Sequence, residues 1–128
     1  MIRALLLLPL LATCPGDETL TAYGASQKTW VLTEVNGSPA PATLQLTFPE
    51  PGMLVGTAPC NTFRAAVTAP YPWFAIGPIL STRRSCPQLA NEAAFFKLLA
   101  AMELAETLGD TMLLSNSAGS VLVFTSGG

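Results

Sequence analysis

The chain contains no histidine, which removes the commonest general base and the commonest metal ligand of proteins that work near neutral pH. Charge is scarce: six Lys/Arg and eight Asp/Glu amount to 11% of 128 residues, with a formal net charge of −2. The few basic residues form no stripe, which argues against a nucleic-acid surface. No internal repeat or low-complexity tract is present. No apolar run approaches the roughly 20 residues a membrane-spanning helix needs. Cysteine is limited to positions 14, 60 and 86, with no CxxC pair. Without histidine, that set cannot supply four zinc ligands, and it lacks the closely spaced pair of a thioredoxin-type redox centre. No metal or other cofactor is expected.

What is present points to one packed domain. Half of the residues are hydrophobic, and eleven prolines and ten glycines suit a turn-rich, mainly β architecture better than a helical bundle. The length fits a single domain and is too short for two ordinary ones.

The first stretch reads as an export leader. Arg3 and the terminal amine precede an apolar run at residues 4–12, broken only by Pro9, which is the length of a secretory core region. "LLATC" is similar to a bacterial lipobox, in which a cysteine is acylated and becomes the new N-terminus. Leu11 and Ala12 suit that pattern, and Thr13 departs from the usual small residue before the cysteine. On this reading residues 1–13 are a lipoprotein-type signal peptide and Cys14 is the lipid attachment site. Residues 14–27 form a polar tether, and residues 28–126 form the folded domain. Loss of Arg3 with the leader leaves five Lys/Arg against eight Asp/Glu, a net charge of −3. Pro15, not aspartate, follows Cys14, so the periplasmic face of the outer membrane is the expected location. The alternative is an ordinary leader cut near Ser26, giving a soluble periplasmic or secreted protein.

Three cysteines leave one unpaired in an oxidising compartment. Acylation of Cys14 resolves the odd count and frees Cys60 and Cys86 to bridge, which the chain-entropy relation values at about 3 kcal/mol. Two separately buried thiols are the alternative.

From residue 28 the patterning turns β. "KTWVLTEVNG" places Trp30 and Leu32 on one face, Val31 and Thr33 on the other. "NGSPAPA" reads as turn and loop. "TLQLTF" directs Leu44, Leu46 and Phe48 inward, and strands are expected at "MLVGTA" and "TFRAAV". "YPWFAIGPIL", interrupted by prolines, reads as short extended pieces at a sheet edge. "PQLANEAAFFKLLAAME" reads as a helix, with Pro87 in its first turn. Phe95, Leu98, Leu99 and Met102 form its buried stripe, and Glu92 lies near the favourable end of the dipole. "LAETLGDTMLLSNSAGSVLVF" reads as three strands joined by a tight "GD" hairpin and a looser turn.

In this order the segments resemble the META domain, the family of the heat-shock protein HslJ, over most of the chain after residue 28. "TWVLTEVNG" is similar to the family's opening strand. "LTFPEPGMLVGTAPCNTF" is similar to its central block, with Pro59 where glycine is usual before Cys60-Asn61. "LSTRRSC" is similar to its Thr-Thr-Arg segment, with Ser81 in place of the first threonine. The resemblance implies a mainly β fold with one α-helix (α+β). More finely, it implies a partly open, strongly curved antiparallel β-barrel with a helix packed across it. It also implies a bacterial envelope setting and an association with stress response, without a known reaction.

Among the motif residues, Asn61 is expected to cap backbone groups or to orient a ligand. Ser81 and Thr82 lack a histidine or nearby lysine to activate them and read as hydrogen-bonding loop residues. Arg83, at the family's arginine position, is expected to be solvated or ion-paired, and with Arg84 is a candidate for phospholipid headgroups or an acidic partner. Glu103 and Glu106 read as surface charge. No catalytic residue is assigned, and no enzyme activity is expected.

The function expected from these observations is that of a non-enzymatic envelope lipoprotein: a monomer held at the membrane by its lipid anchor, supporting or binding another envelope protein. The alternative is a carrier, or pilotin-like binder, of an apolar ligand such as a lipid, in a pocket lined by Trp30, Leu46, Phe48, Phe63 and Phe74. An envelope hydrolase or redox enzyme is the remote third reading.

Overall fold

Strict alternation along each strand commits one face to the interior, and the tertiary structure follows that commitment closely. The computed structural model describes residues 28–127. Cys14, the leader, the tether and the alternative cleavage near Ser26 lie outside the described residues. The elements run β1 (Trp30–Val35), β2 (Ser38–Pro39), β3 (Gln45–Thr47), β4 (Met53–Thr57), β5 (Thr62–Ala66) and β6 (Leu80–Ser81). The helix α1 (Leu89–Ala100) follows, then β7 (Leu104–Leu108), β8 (Thr111–Ser115) and β9 (Val121–Ser126).

All nine described strands join one antiparallel sheet in the order β6-β5-β4-β3-β1-β9-β8-β7, with the short β2 folded back on β1. β2 falls within the stretch expected to be loop. Asn36 and Gly37 both take positive φ (52° and 84°), the backbone that a two-residue hairpin turn demands, so Val35 pairs with Ser38. The β7–β8 hairpin turns through Gly109 and Asp110, with Leu108 opposite Thr111.

The buried face carries Trp30, Leu46, Phe48, Leu54, Phe63 and Phe124, among other members of one core cluster. Gly56 permits the tightest approach within it. A Cβ there would run into the Phe63 ring and stand 2.7 Å from the Gln45 carbonyl oxygen. The helix lies on this face and buries Glu92, Phe95 and Leu99, with Met102 buried just beyond it and Phe96 edge-on to Phe63 at 4.9 Å between ring centroids. Leu98 is half-buried. Pro87 precedes the Gln88 cap and so stands outside the first turn. Among the described residues, no helix is long and apolar enough to cross a membrane.

The expected barrel is not what forms. The sheet is open, ending at β6 and β7. Between them, the connection from β5 to β6 makes only two isolated bridges, Val67 with Ile76 and Trp73 with Leu104. Pro70, Pro72 and Pro78 explain the gap: each lacks the N–H that a continuous ladder would require.

Candidate functional site

The turn between β4 and β5 holds the polar centre of the molecule. Ala58 N–H donates to the Asn61 carbonyl (2.8 Å), closing the turn. Cys60 within it is bridged to Cys86, with Cα atoms 5.6 Å apart. Cys86 stands just ahead of α1, so the disulfide fastens the β4–β5 turn to the segment that leads into the helix.

Beside the bridge, Asn61 is 5% exposed and Glu92 3% exposed. One oxygen of Glu92, Oε1, accepts the N–H groups of Cys60 (2.8 Å) and Asn61 (2.9 Å), while Oε2 accepts from Asn61 Nδ2 (2.6 Å). Asn61 Nδ2 also donates to the Arg84 carbonyl (3.1 Å), and Asn61 Oδ1 accepts from the Thr82 hydroxyl (2.8 Å) and Arg84 N–H (2.6 Å). Every donor and acceptor site of the Asn61 side chain is therefore occupied. The amide orientation is fixed by chemistry: reversed, its oxygen would face the Glu92 carboxylate and its NH2 would face Arg84 N–H.

Four expected motif residues thus separate. The structure brings Asn61 and Thr82 together and leaves the other two aside. Ser81 is half-buried on β6, and the Arg83 side chain is exposed. Arg84 takes part through its backbone. Glu92 is the member that motif reasoning missed. Its signal was present, since positions 92, 95 and 99 fall on one helical stripe, which places the carboxylate among buried positions. Glu103 accepts from Ser117 N–H (2.7 Å) at the surface, in keeping with its expected surface role, and Glu106 is exposed.

Chemically, this arrangement fastens a turn to a helix. Its hydroxyl donates to Asn61, and its carboxylate is committed to three donors. The five side chains expected to line an apolar pocket, Trp30, Leu46, Phe48, Phe63 and Phe74, are at most 3% exposed and belong to the packed core. Strand alternation directs these side chains inward, where they pack as members of one cluster.

Comparison with known proteins supports the same reading of the fold. A DUF4847 family protein from Bacteroides vulgatus superposes with a TM-score of 0.65 at 14% identity, over 82% of this chain and 96% of that one. A protein from Burkholderia xenovorans gives a TM-score of 0.65 at 18% identity, over 95% and 98%. Among curated proteins none matches. The META domain model matches residues 19–127, which takes in every strand, the helix and the disulfide-linked turn. The chain therefore belongs to the META domain family.

Proposed function

We propose that this META domain protein is exported, anchored through Cys14, and serves as a non-enzymatic accessory or binding domain of the bacterial envelope, of the stress-associated kind that its resemblance to HslJ implies. The observation that carries the reading is the Cys60–Cys86 bridge, because such structural disulfides persist in oxidising compartments. The apolar stretch before Cys14 agrees with it. So does the chemistry of the buried polar centre, which is spent on holding the turn to the helix. Outer-membrane sorting follows from Pro15 after the cysteine. The carrier reading is disfavoured by the burial of all five side chains it would use.

Metabolic labelling with a clickable fatty acid tests the anchor. Label that appears on the wild-type chain in the membrane fraction and disappears in Cys14→Ala is the expected result. A wild-type chain that takes up no label would overturn the anchored form and leave the soluble alternative.

A further inference from the structure

The two ends of the sheet are treated differently by the rest of the chain. At the β7 end the outward backbone groups have partners. Ala105 N–H donates to the Pro72 carbonyl (2.8 Å), the Glu103 carbonyl accepts from Phe74 N–H (2.8 Å), and Thr107 N–H donates to the Tyr71 hydroxyl (3.0 Å). An edge covered this way cannot recruit another strand. β6 is different. Thr82 N–H donates to the Thr62 carbonyl (3.1 Å), and Leu80 is paired with Arg64. Antiparallel ladders alternate, so the N–H and C=O of Ser81, the residue between, point away from β5. Among the described residues no strand lies beyond them.

The surroundings of this edge are apolar and positive. A groove of about 310 Å3 separates it from the start of α1, with Ser81, Arg83 and Leu89 in its walls. A second groove, of about 350 Å3, lies on the other side of Leu80, bounded by Met53, Arg64, Ala66 and Pro78. Leu80 is 58% exposed and Leu89 41%. Arg64, Arg83 and Arg84 are exposed, and the ion pair found among the described residues is elsewhere, between Lys28 and Asp110. Glu92, the acid bordering the first groove, is turned onto Cys60 and Asn61.

We propose that β6 is a docking edge for an extended segment of a protein partner in which acidic and apolar residues alternate. The segment adds as a further strand beside residues 79–83. The outward backbone groups of Ser81 supply the pairing; Leu80, on the face it shares with Arg64, receives the apolar side chains, and on the opposite face, where Ser81 and Arg83 border the groove beside α1, Arg83 selects the acidic ones. A second copy of this chain fits poorly, because its residues 79–84 bring two more arginines and no acidic side chain to meet them. The inference stands apart from the Cys14 anchor.

The test is a titration of the isotope-labelled full chain with a blocked peptide of alternating glutamate and valine, followed by amide chemical shifts. A lysine–valine peptide is the control. Expected shifts are confined to residues 79–84 and the first turn of α1, with the lysine peptide at least about fivefold weaker. Ser81→Pro deletes the outward N–H while sparing the bonds from Leu80 and Thr82 to β5, and should weaken binding at least about tenfold. Arg83→Glu combined with Arg84→Glu should reverse the peptide preference. Confined to exposed side chains, it carries the test alone if Ser81→Pro does not fold. No shifts at about 1 mM peptide, shifts elsewhere, or an unchanged preference in the arginine variant would each overturn the proposal. So would binding to phosphatidylglycerol vesicles, lost in the arginine variant, by a chain that ignores the peptide; the arginines would then belong to a lipid surface.

Discussion

Replacing Glu92 with alanine is the sharpest test of what holds this domain together. Its carboxylate accepts from two backbone N–H groups and one side-chain amide, at 2.8, 2.9 and 2.6 Å, from a position 3% exposed. Truncation leaves three donors without their acceptor, two buried at Asn61 and one partly buried at Cys60, and each unsatisfied buried group costs about 1–3 kcal/mol. The three converge on one spot, where a single water can satisfy part of the loss, so we expect a total of about 3–5 kcal/mol rather than the full sum. Glu92→Gln separates the contributions. Its remaining oxygen can keep both backbone bonds, while its NH2 faces Asn61 Nδ2 donor to donor, for a cost of about 1–3 kcal/mol. Urea unfolding under non-oxidising-exchange conditions, followed by circular dichroism and by the fluorescence of buried Trp30, measures both variants. A cycle with Asn61→Ala should return a coupling of about 1–3 kcal/mol. The reasoning is refuted if Glu92→Ala loses less than about 1 kcal/mol at an unchanged denaturant slope, or if the cycle shows no coupling.

Three further outcomes follow from the same packing and bonding. Cys60→Ser with Cys86→Ser should cost about 3 kcal/mol, the closure entropy of a loop whose ends are 26 positions apart in the sequence; the urea midpoint should match that of the reduced wild type, and a loss below about 1 kcal/mol would contradict this. Gly56→Ala forces a methyl into the Phe63 ring and to 2.7 Å from the Gln45 carbonyl, so a loss of at least about 3 kcal/mol is expected. Shrinking Phe63 to leucine should restore only part of it, because the backbone clash persists; a melting temperature within about 4 °C of wild type would contradict the clash. Tyr71→Phe removes the acceptor of Thr107 N–H and should cost about 1 kcal/mol, with faster hydrogen exchange at the Thr107 amide as the direct readout.

Local chemistry made much of the sheet legible. Trp30 and Leu32 are buried while Thr33 is exposed, as alternation in β1 requires. The three strands at the C-terminal end were readable because sequential hairpins need only turn residues and period-two patterning. β2 was harder, since a two-residue strand offers no periodicity, and its Asn36–Gly37 turn was the only cue. The prolines at 70, 72 and 78 indicated an edge, yet their larger effect, keeping the sheet from closing, depended on where β7 would lie.

The candidate site was legible as a set of residue types and illegible as an arrangement. Asn61 and Thr82 stood out in their motifs, but their partner Glu92 is 31 residues from Asn61. Arg83 drew attention by its position, while it is the backbone of Arg84 that enters the network.

By itself the sequence determined which face of each strand turns inward, which stripe of the helix is buried, and that neither histidine chemistry nor a cysteine–histidine metal site is available. These are consequences of composition and of short-range periodicity, which each segment carries alone. The tertiary structure decided that Glu92 binds the β4–β5 turn, that the core aromatics share one buried cluster, and that among the described residues one sheet edge is covered while the other is bare. Those outcomes depend on contacts between residues far apart in the chain, and no local pattern encodes how distant segments come to share a surface.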